Sequence, residues 1–276
     1  MTVAGLARDR QLEKEAYNAL AVVVDPELDE PVTDLGFVRS LTVHVEESGL
    51  GVEVHLRLPT SFCSPNFAWL MCSDAKDAIT ALPWAHRVVV ALDDHHDSDL
   101  VNAGLAADAD YKQTFRHEAE KDLEELRTTF RRKAHTAAME RCLTALLRAD
   151  PGRPVESVGR VTLADLPADR HTAALLRRRA ALGLPAGPQS LVLVDHTGRG
   201  YPPDRVPMTL RRARATRISI DGNAHFCRGL LRTRYPGSEA DQAQRPEGAE
   251  PADVSYDPGY DPTFIPLSTL RKEHHP

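Results

Sequence analysis

The sequence predicts an α+β protein: a small α-β-β-α-β domain, a long helical extension, and a second small α/β module that ends in a flexible acidic tail. Three observations carry this. Helical apolar periods alternate with β-branched runs over residues 1–97, a charged helical period fills 98–150, and a Pro/Gly cluster, Asp150-Pro151-Gly152-Arg153-Pro154, then interrupts the chain. The charge inverts at the same place. Residues 1–150 hold 16 Lys/Arg against 26 Asp/Glu, residues 151–235 hold 15 arginines against 6 acids with no lysine, and residues 236–276 hold 3 against 8. The units are therefore 1–97, 98–150, 151–235 and 236–276.

Each element follows from its pattern. Leu12, Ala16 and Leu20 recur at helical spacing, and Asp25-Pro26 stops that helix because proline excludes the residue before it from the α region. Val38–Val45 and Val52–Leu58 alternate as half-buried strands, joined at Glu47–Gly51 as a hairpin. The loop Pro59–Pro65 leads into a helix over Asn66–Leu82, closed by Pro83, and His86–Leu92 reads as a third strand. A helix over Lys112–Leu147 carries the apolar stripe Phe115, Ala119, Leu123, Leu126 and Phe130. Beyond the Pro/Gly boundary we expect a helix at Ala168–Leu182, a buried strand at Leu191–Asp195, a Gly/Pro loop at Thr197–Pro207, an Arg-rich helix, a short strand at Arg217–Ile220, and a helix from Asn223. From Pro236 to Pro262 Pro, Gly, Glu, Asp and Ala prevail, the composition of a flexible tail.

Whole-chain arithmetic excludes several classes. With 42% hydrophobic residues and a net charge of −6, the chain has enough apolar mass for a core. The apolar run Ala19–Val24 is far short of the ~20 residues a membrane span needs, and Met1–Tyr17 lacks the apolar stretch of a secretory signal. Four cysteines do not build a disulfide scaffold, so a cytoplasmic protein with reduced thiols is expected. Gly198-Arg199-Gly200 is neither a dinucleotide fingerprint nor a phosphate loop, His117-Glu118 lacks the second histidine of a zincin, and no G-x-S-x-G elbow occurs. The clusters Arg177-Arg178-Arg179, Arg211-Arg212, Arg214 and Arg217 lack interleaved aromatics, which argues against nucleic acid and for docking on an acidic partner or on the chain's own acidic half.

Cys63 is the leading candidate for chemistry. It lies in Pro59-Thr60-Ser61-Phe62-Cys63-Ser64-Pro65-Asn66, directly before a helix, where free N–H groups and the positive helix end favour a thiolate that can act as ligand or nucleophile. Cys72 shares an apolar helix face with Ala68, Ala75 and Ile79, and Cys142 lies inside a long helix; both read as packing. Asp25-Pro26-Glu27-Leu28-Asp29-Glu30 sets four carboxylates in six residues, followed by Asp34 and Gly36, and reads either as a cation-steering cluster or as a turn set by Asp, Pro and Gly. His95-His96-Asp97 is a weaker metal candidate, and His196, His225 and Cys227 form a second metal site only if the fold gathers them.

D-P-E-L at Asp25–Leu28, D-L-G-F-V at Asp34–Val38, a strand hairpin and a cysteine loop before a helix resemble, over Leu12–Asp94, the small Fe–S cluster assembly domain shared by SufT and PaaD. The resemblance implies that Asp25, Pro26, Glu27, Asp34, Gly36, Thr60 and Cys63 are the characteristic positions. Ser64 stands where the family commonly has the proline that here follows as Pro65. Asp122–Arg127 and Phe130–Ala134 resemble the extended actinobacterial forms that accompany diiron monooxygenases. The implied function is a maturation factor that delivers iron, or a transient iron-sulfur cluster, to a client metalloenzyme such as a diiron monooxygenase subunit; the alternative is a metal-free adaptor for a multicomponent oxygenase. A cluster normally takes four thiolates, so one held by Cys63 has to be shared across a homodimer, completed by small thiols or other side chains, or passed on transiently.

Overall fold

The computed structural model describes residues 3–47, 49–115 and 123–237, with side chains from Arg10 onward. The chain opens with α1 (Val3–Leu20), then a two-stranded ribbon, β1 (Val24–Asp25) and β2 (Glu30–Pro31), then one helical turn, α2 (Val32–Leu35). β3 (Val38–Glu46) and β4 (Gly49–Arg57) form the expected hairpin, in which β4 starts earlier than its β-branched run because Gly49 and Gly51 already pair with Glu46 and His44. α3 (Pro65–Thr80) crosses over to β5 (Ala85–Asp93), which lies parallel to β4, so the sheet order is β3-β4-β5. A parallel neighbour needs such a crossover, which is why the hairpin is followed by a helix and only then by the third strand.

α1 and α3 pack together, α1 against β3 and α3 against β5. The core between them holds Leu20, Val52, Val54, Leu56, Ala68, Met71, Cys72, Ala75, Ile79, Val90 and Leu92. Cys72 is fully buried and its thiol is pushed up to about 12 by desolvation, consistent with a packing role.

The expected helix over Lys112–Leu147 is described as two pieces, α5 (Tyr111–Phe115) and α6 (Leu123–Ala149); residues 116–122, including Ala119, lie outside the described residues. A helix that the sequence pattern does not signal, α4 (Ser98–Ala106), precedes them, anchored where Asn102 caps both the N–H and the carbonyl of Leu92 in β5.

Residues 151–235 depart from the expected α/β module. Among the described residues this segment has no strand; it consists of 3₁₀ turns, α7 (Arg170–Ala181) and one long helix, α8 (Val206–Arg234). Leu191–Asp195 makes only isolated bridges, Thr162 with Leu191 and Val194 with Gly200. Its apolar run is buried because the guanidinium of Arg179, itself 1% exposed, donates to the carbonyls of Pro185, Leu191 and Val192. A side chain thus supplies the donors that a neighbouring strand otherwise gives. The expected strand Arg217–Ile220 lies inside α8, whose buried positions Val206, Leu210, Ala213, Arg217, Ile220, Ala224 and Leu231 keep helical spacing. Arg217 holds a core position in that stripe, which hides the helical period in the sequence.

A second core joins Ala138, Met139, Cys142 and Leu143 of α6 to Val158, Leu163, Leu175, Val192, Leu193, Val206 and Leu210. Farther along α8, Ala224 and Leu231 enter the first core. α6 and α8 are clasped by a polar network: Glu140, fully buried, pairs with Arg217, which also pairs with Asp221, which in turn accepts from Arg141 at 2.6 Å. No helix among the described residues is long and apolar enough to cross a membrane. The acidic tail beyond Gly237 lies outside the described residues.

Candidate functional site

The Cys63 loop leaves the sheet after Arg57 and enters α3 at Pro65, with Ser64 at the N-cap and its carbonyl accepting from the N–H groups of Phe67 and Ala68. Proline suits the first helical position because its missing N–H is one that the helix leaves unpaired there. Within the loop, Thr60 Oγ1 accepts from the Phe62 N–H and lies 3.3 Å from Cys63 Sγ. The thiol is half-buried and packs against the edge of the first core.

The loop is latched to the segment after β5. His95 Nε2 donates to the Cys63 carbonyl at 2.8 Å, while its Nδ1 accepts from the Asp97 N–H at 3.1 Å. Those two bonds assign the Nε2–H tautomer and occupy both ring nitrogens. The ring of His95 is therefore a strut for the cysteine loop. The His96 N–H adds a second tie to the Ser61 carbonyl at 2.9 Å. The sequence marks His95-His96-Asp97 only as a weak metal candidate, and no pattern in it signals this positioning role.

The acidic ribbon packs against α3, the helix into which the loop leads. Asp25 Oδ1 accepts from the N–H groups of Glu27 and Leu28, both at 2.9 Å, which turns the chain through Pro26 toward Asp29 at φ +56°. Asp25 is 7% exposed, and burial pushes its carboxyl up to about 6 against the opposing pull of those two N–H bonds. Gly36 takes φ +76° at the end of α2, where a Cβ is disfavoured, and its N–H bonds the Val32 carbonyl; Asp34 accepts from Thr33 Oγ1. Of the acidic residues in this region, Asp25 and Glu27 lie near the Cys227 thiol, Glu30 and Asp29 serve as docking partners, and Asp34 lies beside Glu30.

The remaining wall comes from the C-terminal half. Arg178 of α7 pairs with Asp29 at 2.7 Å, Arg228 of α8 pairs with Glu30, and Asn223 reaches Glu27 at 3.3 Å. At the end of α8, Arg234 donates to the carbonyls of Leu58 and Asp94, and Tyr235 donates to the Asp94 carboxylate at 3.2 Å. Docking between the acidic and basic halves, raised by the charge arithmetic, is thus built from specific pairs. Cys227 lies on the stretch of α8 between these anchors. Burial pushes its thiol up to about 11, reinforced by Asp25, Cys63 and Glu27 nearby.

The structure accordingly places Thr60 against Cys63, and sets Asp25, Glu27 and Cys63 each near Cys227 of α8. It leaves His196 elsewhere, exposed on the turn after Asp195 in the second core's part of the chain, and His225 exposed on α8. Among the described residues no group of three or more His, Cys, Asp and Glu side chains is arranged to hold a metal ion. Two aromatic residues are exposed next to the thiols in sequence, Phe62 at 79% and Phe226 at 65%. A cleft of about 380 Å³ also opens beside the acidic ribbon, between Val22, Pro31, Arg127, Phe130, Arg131 and Arg178, but no cysteine or histidine lines it.

Residues 13–92 match the family model described as iron-sulfur cluster assembly protein. The matched segment runs from within α1 to β5 and includes Asp25, Thr60 and Cys63, while α4 to α8 lie outside it. No curated protein and no solved structure matches the chain. The family match supports a general role in iron-sulfur cluster assembly.

Proposed function

We propose that this protein is a maturation factor that carries iron or an iron-sulfur cluster as cargo and delivers it to a client metalloenzyme, with Cys63 as the transient ligand. The observation that carries this reading is the Cys63 loop itself: a half-buried thiol at the N-terminal end of α3, latched by His95 and inside the segment that matches the assembly family. The loop sets a soft sulfur ligand, suited to iron, directly before α3. A cargo site with few ligands suits a carrier, since the client's own ligands complete the coordination and draw the cargo away. The exposed Phe62 ring supplies an apolar contact for the acceptor at the mouth of the site. The resemblance of residues 122–134 to extended actinobacterial forms makes diiron monooxygenase subunits the proposed clients, in the cytoplasm, where thiols stay reduced.

A metal-free adaptor for a multicomponent oxygenase is the second reading, favoured by the exposure of Phe62 and Phe226, which serve docking without cargo. Transfer separates the two. Protein loaded anaerobically with iron and sulfide is mixed with an apo-ferredoxin acceptor, and cluster formation in the acceptor is followed by absorbance. The wild type should transfer. Phe62→Ser should load normally but transfer roughly tenfold more slowly, the loss of one central aromatic contact. Cys63→Ser should neither load nor transfer; full transfer by Cys63→Ser would contradict the carrier reading.

A further inference from the structure

We infer that Cys227 is the second thiol of the Cys63 site, so that one chain presents a two-thiol cargo site assembled from the loop before α3 and the middle of α8. The inference rests on the reading of Cys63 as a ligand and names its partner.

The geometry follows from how α8 is held. Asn223, Cys227 and Leu231 recur every four residues and so share a helix face. Asn223 touches Glu27, and Leu231 is buried in the first core at 4% exposure. Arg228, next to Cys227, pairs with buried Glu30. One turn beyond Leu231, Arg234 binds the carbonyl of Leu58, where the loop to Cys63 begins, and that of Asp94, whose neighbour His95 holds the Cys63 carbonyl. The face carrying Cys227 therefore spans from the acidic ribbon to the cysteine loop. Both thiols are free, half-buried and packed against the same core. Cys72 and Cys142 are buried, at 0% and 3% exposure.

Two thiolates are soft ligands suited to iron or to other thiophilic metals. They leave about half of a four-ligand set open to sulfide, to a small thiol or to a client's cysteine. That arrangement holds cargo and releases it. It also ties the cargo to the docking of α8, because the basic C-terminal half then closes one side of the site.

The full-length protein can be tested with Cd²⁺ alone as the probe, reading the ultraviolet thiolate-to-cadmium absorbance. The wild type should show two thiolates per bound ion. Cys227→Ser should lose about half of that absorbance and bind roughly tenfold more weakly, and the Cys63→Ser, Cys227→Ser double variant should lose it all. If Cys227→Ser binds as the wild type does while Cys63→Ser does not, the inference is overturned and the Cys63 reading stands. If neither single variant alters binding, both fall. A measurement on the unmutated chain guards against misfolding of the variants. Diamide converts two neighbouring thiols to a disulfide, its N=N bond taking up their two hydrogens to become the hydrazine. Peptide mass spectrometry of the folded, oxidised protein should recover the Cys63–Cys227 linked pair, and its absence, with each thiol modified singly, counts against the site.

Discussion

Glu140→Ala should destabilise the protein by about 3–5 kcal/mol, the cost typical of removing one partner from a buried ion pair. Glu140 is fully buried in α6, and its carboxylate accepts from Arg217 of α8 and from Thr144 Oγ1 at 2.7 Å. Truncation takes the buried counter-charge from the Arg217 guanidinium, which is 5% exposed, and leaves the partly exposed Asp221 beside it. Chemical denaturation of the variant should show a lower midpoint. The compensated double variant Glu140→Leu, Arg217→Met should recover most of the loss, because it removes both buried charges together. A double variant no better than the single would mean that packing, and not the orphaned charge, sets the cost.

Asp25→Asn should do the opposite and stabilise the protein near neutral pH. Asp25 is buried, and its carboxyl is pushed up from 3.8 to about 6. A raised acid binds its proton more tightly in the folded state, so its contribution is fully present below about pH 4 and is lost as pH rises through about 6. Above that range the buried carboxylate weakens the fold by up to about 3 kcal/mol, at ~1.4 kcal/mol for each pH unit that separates the folded from the unfolded titration. Asparagine keeps the oxygen that accepts from Glu27 and Leu28 and cannot ionise. The variant should therefore exceed the wild type in stability at a pH of about 7.5, and the two should converge below about pH 4. If Asp25→Asn is also slower to load cargo, stability was given up for function at this position. A variant less stable than the wild type near neutral pH contradicts the assignment of burial as the cause.

The first ninety residues are largely legible because their signals are local. β-branched alternation marks β3, β4 and β5, and Pro65 and Pro83 bracket α3. The ribbon β1–β2 is not visible, since two-residue strands leave no period; only the turn residues Asp25 and Pro26 mark the place. Residues 151–235 mislead because buried arginines take the place of apolar residues or of neighbouring strands. Arg217 fills a core position of α8, and Arg179 satisfies the carbonyls of Leu191 and Val192, so a continuous helix reads as helix-strand-helix and a buried coil reads as a strand.

The site divides in the same way. The cysteine loop and the acidic turn are readable as local motifs, and Thr60 does lie against Cys63. Cys227 is readable as a candidate ligand, but its partners are not. They depend on where α8 docks, which is decided by long-range pairs such as Arg228 with Glu30 and Arg178 with Asp29. Only the charge segregation, −10 in residues 1–150 against +9 in 151–235, hints at that docking.

The central claim, that Cys63 holds the cargo, is tested most directly by counting iron and acid-labile sulfide per chain after anaerobic reconstitution of the wild type and Cys63→Ser. The wild type should bind both, and Cys63→Ser should fall to the background of iron and sulfide mixed with an unrelated protein. Equal iron and sulfide in the two would contradict it.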